Sequence, residues 1–253
     1  FKELKDYLNI KDNRQIVVIE NLQYLYLRDV KGFNCLKVLT AIISKTSKNI
    51  FWITSITLYA NKFLNKTIRI NEAFGHHIFL NPFNSEQIAD LVKIRNSISG
   101  YNLEYVEDMK ILRKKEFNRI SSEQKQNLLE KEYFNSLNKF VKGNVSLAQL
   151  YWLGSIREIQ DRKVFINADF EISNTILKSL SIEKLFVLHS LILHESLRIS
   201  DLAKTVNYSL DETSQLAQIL YDEGVLVKND EMFFINPLIY RQSIDILKTN
   251  NLI

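Results

Sequence analysis

A short apolar run near the start of the chain places the strongest constraint on its fold. Residues 16–19 (IVVI) are four apolar residues rich in β-branched types, and an acid and an amide, Glu20 and Asn21, follow at once. Such a run predicts a strand that is buried on both faces of a parallel sheet. Open α/β sheets bind ligands at the carboxyl ends of their strands, where Glu20 would lie. The alternative is an ordinary core strand that is followed by a surface acid.

The composition is that of a globular protein with room for two domains. The chain has 253 residues, 46% hydrophobic and 25% charged, with only two prolines and six glycines, so long disordered linkers are not expected. A single cysteine, Cys35, excludes an internal disulfide framework and is typical of a reducing compartment, which favours a cytoplasmic protein. No apolar run reaches the length of a bilayer span. Because the chain opens at Phe1 within a helical pattern, we interpret it as a fragment of a longer protein.

Residues 1–83 show an alternation of helical and strand patterns. Strands are predicted at residues 16–19, at residues 50–53 (IFWI) and at residues 76–80 (HHIFL). The helices predicted before and between them cover residues 1–10, 35–43 and 58–64. This alternation predicts parallel strands with right-handed crossovers and with helices on both faces of the sheet. We therefore assign residues 1–83 to a partial α/β core.

The apolar period becomes helical after residue 83. Asn84 and Gln87 form the pattern of a capping box, and further helices are predicted over residues 122–140 and 145–156. The charged stretch at residues 110–119 is interpreted as a solvated helix face or a loop. Residues 84–170 are therefore predicted to form an all-helical lid.

The remaining residues, 171–253, have the element order of a winged-helix domain. Three helices are predicted over residues 182–194, 199–206 and 210–223, with Ser200 and Ser209 as N-caps of the second and third. A hairpin follows over residues 224–235, with its turn at residues 229–230.

Charge argues against DNA recognition by this domain. Residues 180–253 hold six basic and ten acidic residues, a net charge of −4 in a chain whose total is +4. The third helix carries four acids and no basic residue, which would repel a phosphate backbone. These acids are Asp211, Glu212, Asp222 and Glu223. A protein-contact or intramolecular regulatory role is therefore favoured. If DNA is contacted, the better candidate is the basic part of the lid, which contains Arg113, Lys114, Lys115 and Arg119.

Taken in order, these segments resemble the part of an AAA+ or STAND-type P-loop ATPase that begins at the Walker B motif. Residues 17–21 (VVIEN) resemble Walker B, and residues 51–55 (FWITS) resemble sensor 1. Residues 69–83 (RINEAFGHHIFLNPF) resemble the segment that enters the last strand and the lid. Residues 94–101 (IRNSISGY) are similar to a lid sequence, and residues 140–155 (FVKGNVSLAQLYWLGS) are similar to the sensor-2 helix.

The resemblance implies that ATP and Mg²⁺ bind between core and lid in the intact protein. Glu20 would hold the Mg²⁺ ion as a metal ligand and, with Asn21, would occupy the catalytic Walker B positions. Thr54 and Ser55 would contact the γ-phosphate; their alternative role is to cap the end of a strand. The remaining candidates are Arg69 as an arginine finger and Arg95, Gly143 and Asn144 as lid contacts to the nucleotide.

Three departures from the family pattern limit the activity that we expect. No Gly-Lys pair occurs, so the Walker A loop that cradles phosphates is absent, and we expect it before Phe1. Asn21 cannot accept a proton from water. Val145 and Ser146 follow Gly143–Asn144 where the family has an arginine. We therefore predict a nucleotide-dependent switch whose winged helix contacts a protein partner, and a fragment that is itself inactive. The alternatives are a non-catalytic interaction module and a DNA-associated factor. We also consider that the protein forms an oligomer.

Overall fold

The computed structural model describes residues 14–106, 120–167, 177 and 179–253 of the chain. Contacts divide these residues into two compact units: the first contains the residues up to Ile78, those from 177 to Asn236 and those from Gln242, and the second contains the rest. Elements of the predicted core and of the predicted C-terminal domain therefore share one unit. The predicted helix at residues 1–10, the basic stretch at 110–119 and the boundary at residue 171 lie outside the described residues.

Helices and strands alternate over the first part of the chain. In chain order, the elements up to residue 73 are β1 (Gln15–Ile19), a 3₁₀ helix (Leu22–Leu25), α1 (Asn34–Thr46), β2 (Ile50–Thr54), α2 (Leu58–Ile68) and a second 3₁₀ helix (Ile70–Ala73). They are followed by α3 (Ser85–Ser97), β3 (Asn102–Tyr105), α4 (Ser122–Val141), α5 (Val145–Gly154), β4 (Ile156–Gln160) and β5 (Lys163–Ile166). The last are α6 (Ile182–His194), β6 (Ser196–Arg198), α7 (Ile199–Val206), α8 (Leu210–Asp222), β7 (Leu226–Asn229), β8 (Met232–Ile235), a third 3₁₀ helix (Pro237–Ile239) and α9 (Tyr240–Thr249).

The prediction of parallel strands at residues 16–19 and 50–53 is confirmed. Strands β1 and β2 pair in parallel, in a register that sets Gln15 opposite Ile50 and Ile19 opposite Thr54. Helices α1 and α2 belong to one apolar cluster, and Ile19 and Trp52 pack against it from the sheet. The two helices therefore cover the same face of the two-stranded sheet.

The opposite face of this sheet is uncovered, so the prediction of a strand buried on both faces is wrong. Ile16 is 70% exposed and Phe51 66% exposed, and Val18 and Ile53 are also exposed. Because strand residues alternate between faces, these four side chains form one apolar surface, which we call the open sheet face. Covering it would need another layer, which the described residues do not supply.

The third predicted strand, at residues 76–80, is also wrong. These residues have no regular secondary structure and are all exposed, with Ile78 at 89% and Leu80 at 93%. The apolar composition of HHIFL is typical of a strand, but a strand forms only where the backbone pairs with a neighbour, and residues 76–80 pair with no described strand. Among the described residues, the sheet holds β1 and β2 alone.

The second unit is not all-helical, which corrects the predicted lid. Strand β5 is the middle of a three-stranded sheet, parallel to β3 and antiparallel to β4. The β4–β5 hairpin turns at Asp161 and Arg162, both with positive φ, at 49° and 61°. Such turns usually contain glycine, so the Asp-Arg pair gives no turn signal in the sequence. The sheet packs with helices α3, α4 and α5 around one apolar cluster.

The helices and hairpin predicted over residues 182–235 occur at the expected positions. Ser209 caps α8, as predicted, and the structure shows that it does so in a capping box with Glu212. Ser200 does not cap α7, because that helix begins at Ile199 with Arg198 as its N-cap. Strand β6 adds a third member to the sheet, whose order is β6-β8-β7 with antiparallel pairing throughout.

No described helix combines the length and the apolar character that a bilayer crossing requires.

Candidate functional site

The ends of the two parallel strands are held together by three hydrogen bonds. The backbone N–H of Asn21 donates to the hydroxyl of Ser55 over 2.9 Å. The N–H of Ser55 donates to the carbonyl of Ile19 over 3.0 Å, and the N–H of Leu22 donates to the carbonyl of Ser55 over 2.9 Å. Because Thr54 lies opposite Ile19, four predicted site residues meet at the carboxyl edge of the sheet. We call Glu20, Asn21, Thr54 and Ser55 the strand-tip cluster.

Asn21 turns the chain out of strand β1. Its backbone is left-handed, with φ 60° and ψ 56°, a conformation that asparagine tolerates better than most residues. Its side-chain oxygen accepts a hydrogen bond from the amide of Gln23 over 3.3 Å. A carboxamide does not take up a proton at neutral pH, so Asn21 shapes this edge of the sheet and does not supply a catalytic base.

Gln23 is a site residue that the sequence analysis missed. It lies in the 3₁₀ helix directly after the strand-tip cluster and is 1% exposed. Its amide group contacts Asn21, the backbone N–H of Thr57 and the carboxylate of Glu195. Glutamine is typically exposed, and the partner Glu195 is 172 positions away in the chain, so no sequence signal marked Gln23.

Glu20 is exposed and directly follows β1, as Ser55 directly follows β2. Carboxylate and hydroxyl oxygens are suitable ligands for Mg²⁺, which keeps several waters and takes few protein ligands. Within the described ranges, no group of three or more His, Cys, Asp or Glu side chains could hold a metal ion. The strand-tip cluster therefore supplies a single carboxylate, and it contains no loop that could surround phosphates.

Arg69 does not join the strand-tip cluster. Thr57, which follows the cluster, is the N-cap of α2, whereas Arg69 is the C-cap of that helix. Eleven helical residues span roughly 16 Å, so the two ends of α2 are well separated. Arg69 is exposed and forms an ion pair with Glu72 over 3.7 Å.

Arg95 and Asn144 make local contacts in the second unit. Arg95, in the last turn of α3, donates to the side-chain oxygen of Gln149 in α5. Asn144 is the N-cap of α5 and accepts a hydrogen bond from the N–H of Leu147 over 3.0 Å. Their assignment as nucleotide contacts stays a prediction.

Gly143 allows a close approach between two segments of the second unit. It has φ 75°, and its carbonyl accepts a hydrogen bond from the N–H of Phe83 over 3.2 Å. A Cβ at this position would lie 2.5 Å from the Cβ of Pro82 and 2.6 Å from the backbone N of Phe83. Glycine is therefore required here by packing, whether or not a nucleotide approaches it.

Two buried histidines lie in the first unit beside the segment that follows the strand-tip cluster. Burial lowers the pKa of His189 to about 4, and the guanidinium of Arg28, 3.2 Å from its Nδ1, acts in the same direction. Burial likewise lowers the pKa of His194 to about 4, and its ring lies 4.5 Å from that of Tyr26. Both are therefore neutral packing residues at pH 7.

Comparisons with known proteins give distant structural likenesses only. No family model matches the chain, and no curated protein matches it. An Aeropyrum pernix ORC2 protein solved as ADPNP-ADP complexes is 13% identical, with coverage of 98% of this chain and 67% of that one and a TM-score of 0.40. A Thermotoga maritima RuvB mutant is 12% identical, with coverage of 95% and 73% and a TM-score of 0.30. Cdc6p from Pyrobaculum aerophilum is 15% identical, with coverage of 98% and 69% and a TM-score of 0.29. At these TM-scores the likenesses assign the chain neither a family nor an activity.

Proposed function

We propose that this chain is the part of an AAA+ or STAND-type ATP-binding protein that begins at Walker B, and that it acts as a nucleotide-dependent switch. The observation that carries the proposal is the parallel pairing of β1 with β2, which sets an acid and two hydroxyl residues at one carboxyl edge. This is the edge at which open α/β sheets bind ligands. In this assignment Glu20 holds Mg²⁺, and Thr54 or Ser55 contacts the γ-phosphate.

ATP binding by this site requires a phosphate-binding loop in addition to these residues. No Gly-Lys pair occurs in the 253 residues, and a cluster without backbone amides aimed at the phosphates binds nucleotide poorly. The open sheet face supports the idea that a further layer completes the core, because parallel sheets are normally covered on both faces. We propose that the segment carrying the phosphate-binding loop covers Ile16, Val18, Phe51 and Ile53.

The chemistry of the strand tips favours a switch over a rapid ATPase. Asn21 stands where a carboxylate would orient and deprotonate the attacking water, and its side chain is already hydrogen-bonded to Gln23. A nucleotide could then bind and remain bound for long periods. Slow or absent hydrolysis is the expected behaviour of the complete protein.

We assign α6, α7, α8 and the β6-β8-β7 sheet to a winged-helix module that contacts a protein partner. The third helix of the module, α8, exposes Asp211 and Asp222 and has no basic residue. Lys228 on the hairpin is held over the ring of Phe233, 5.3 Å from its centroid. A surface with this charge suits a partner that presents basic side chains, and it repels nucleic acid.

Nucleotide binding by the protein extended with its natural upstream sequence tests the proposal. A fluorescent ATP analogue is titrated in the presence of Mg²⁺ against wild type, Glu20→Gln and the matched control Glu72→Gln, which removes an exposed acid from the same unit. Loss of a charged ligand costs about 1.5–3 kcal/mol, so we expect affinity to fall about 10- to 100-fold for Glu20→Gln and not for the control. Equal affinity in all three proteins would remove the role assigned to Glu20.

The main alternative is an interaction module in which the α/β part serves only as scaffold. It is favoured by the exposed apolar residues Ile219 and Tyr221 beside the acids of α8, a mixed surface that can bind protein. An extended protein that binds no nucleotide, with or without Mg²⁺, would establish this alternative. Salt-sensitive retention on DNA would instead support a DNA-associated factor.

A further inference from the structure

The buried amide of Gln23 connects three separate segments of the first unit. Its nitrogen donates to Oε2 of Glu195 over 3.1 Å and to Oδ1 of Asn21 over 3.3 Å. Its oxygen accepts a hydrogen bond from the backbone N–H of Thr57, the N-cap of α2, over 3.3 Å. One side chain therefore contacts the strand-tip cluster, the start of a helix and the residue between α6 and β6.

The orientation of this amide is determined by the groups around it. The nitrogen side faces a carboxylate and a side-chain carbonyl, both of which can only accept, and the oxygen side faces an N–H, which can only donate. A flipped amide would set its oxygen against two other oxygens and its N–H₂ against the N–H of Thr57. Because Gln23 is buried, water could not relieve those contacts.

Glu195 is held by more than Gln23. Its Oε2 also accepts a hydrogen bond from the hydroxyl of Tyr24 over 2.6 Å. Hydrogen bonds to a carboxylate are about twice as strong as neutral ones. The backbone of Glu195 has φ 63° and ψ −48°, which a residue with a Cβ rarely adopts. Both bonds and the unusual backbone fix this carboxylate against the 3₁₀ helix that follows β1.

We propose that Gln23 is a positioning residue through which the carboxylate of Glu195 fixes the turn at Asn21 and the start of helix α2. The bond from the N–H of Asn21 to Ser55 extends the connection to the tip of β2. A change at Glu195, at the boundary between α6 and the β6-β8-β7 sheet, is thereby transmitted to the strand-tip cluster. The idea that this connection regulates a nucleotide site rests on the proposed function. The hydrogen bonds that form the connection exist without nucleotide.

The connection is tested by NMR on the whole chain without nucleotide. Backbone amide shifts of Asn21, Ser55 and Thr57 are compared between wild type and Glu195→Gln, and again in the background of Gln23→Met, which keeps the length of the side chain and removes its hydrogen bonds. We expect Glu195→Gln to shift all three amides in wild type and to leave Ser55 and Thr57 unshifted when residue 23 is methionine. The matched control is Glu231→Gln, which removes an exposed acid paired with Arg198 in the same unit.

Two further measurements keep the test decisive if Gln23→Met fails to fold. In that case the amide shift of Thr57 caused by Glu195→Gln is compared with the shift caused by Glu231→Gln, both in the wild-type background. Equal shifts for the two substitutions overturn the proposal. The hydrogen bond to Glu195, burial, and the charge of Glu195 together raise the pKa of the Tyr24 phenol from 10.0 to about 12, so Glu195→Gln should lower this pKa part of the way towards 10. An unchanged Tyr24 pKa, or shifts at Ser55 and Thr57 that persist with methionine at residue 23, would also overturn it. A failed nucleotide titration would leave these results unaffected.

Discussion

Substitution of Gly143 by alanine should destabilise the second unit far more than substitution of a comparable glycine elsewhere in it. Gly143 lies between α4 and α5 with φ 75°, and a Cβ there would meet backbone atoms of Phe83 at 2.6 Å. Its own N–H donates to Oδ1 of Asn138 over 2.9 Å, and its carbonyl accepts from Phe83, so the backbone cannot move without loss of these bonds.

Three contributions set the size of the effect. A left-handed backbone costs an alanine about 1 kcal/mol relative to glycine. The forced separation from Pro82 and Phe83 resembles overpacking and costs about 1–3 kcal/mol. Loss of the hydrogen bond between Phe83 and Gly143 adds about 1 kcal/mol. The free energy of unfolding of the second unit should therefore fall by about 3–5 kcal/mol.

Gly100 supplies the matched control. It lies in the same unit with φ 72°, but a Cβ there would meet no atom within 4 Å. Gly100→Ala therefore includes the cost of the left-handed backbone without the close approach, and it should destabilise the unit by only about 1 kcal/mol.

Urea unfolding followed by tryptophan fluorescence makes the comparison. The chain has two tryptophans, Trp52 in the first unit and Trp152 in the second, so Trp52→Phe leaves a fluorescence signal that reports the second unit alone. Gly143→Ala and Gly100→Ala are both measured in this background. Equal destabilisation by the two substitutions would refute the reasoning, because it would mean that no steric contact restricts residue 143.

Two further predictions concern the first unit, read through the fluorescence of Trp52. Phe51→Ser, on the open sheet face, should change the free energy of unfolding by less than about 0.5 kcal/mol. Leu64→Ala, in the buried core, should lower it by about 2–5 kcal/mol. Similar losses for the two substitutions would contradict the assignment of faces. His189 and His194 have folded pKa values of about 4 against 6.5 when unfolded, so the unfolded state binds protons first. Their contribution to stability should be complete above pH 6.5 and be lost as the pH falls towards 4, by up to about 3 kcal/mol per histidine. Urea midpoints across that range check this, and an unchanged slope in His194→Gln would contradict it.

The sequence predicts those parts of the fold in which apolar runs, caps and breaks along the chain match the secondary structure that forms. Residues 16–19 and 50–53 form the parallel pair because a helix-length segment separates two β-branched or aromatic runs. The bounds of α8 follow from the capping box at Ser209 and the glycine at residue 224. These signals involve neighbours in sequence, so a single chain is enough to read them.

The parts that the sequence does not predict depend on partners far away in the chain or on turns without a glycine. The β4–β5 hairpin turns at Asp161–Arg162 without a glycine, and residues 76–80 have strand composition but pair with no described strand. The strand-tip cluster follows from topology, since carboxyl ends of parallel strands meet at one edge. The burial of Gln23 and its contact with Glu195 do not follow from topology, because no local pattern distinguishes a buried glutamine from an exposed one.

The open sheet face has a consequence for the fate of the chain in a cell. Four exposed apolar side chains on one face of a sheet are the kind of feature that chaperones bind. Proteases degrade molecules in which such a surface stays exposed. Molecules in which the proposed upstream segment is unfolded or missing would expose this surface and should be degraded faster than the complete protein.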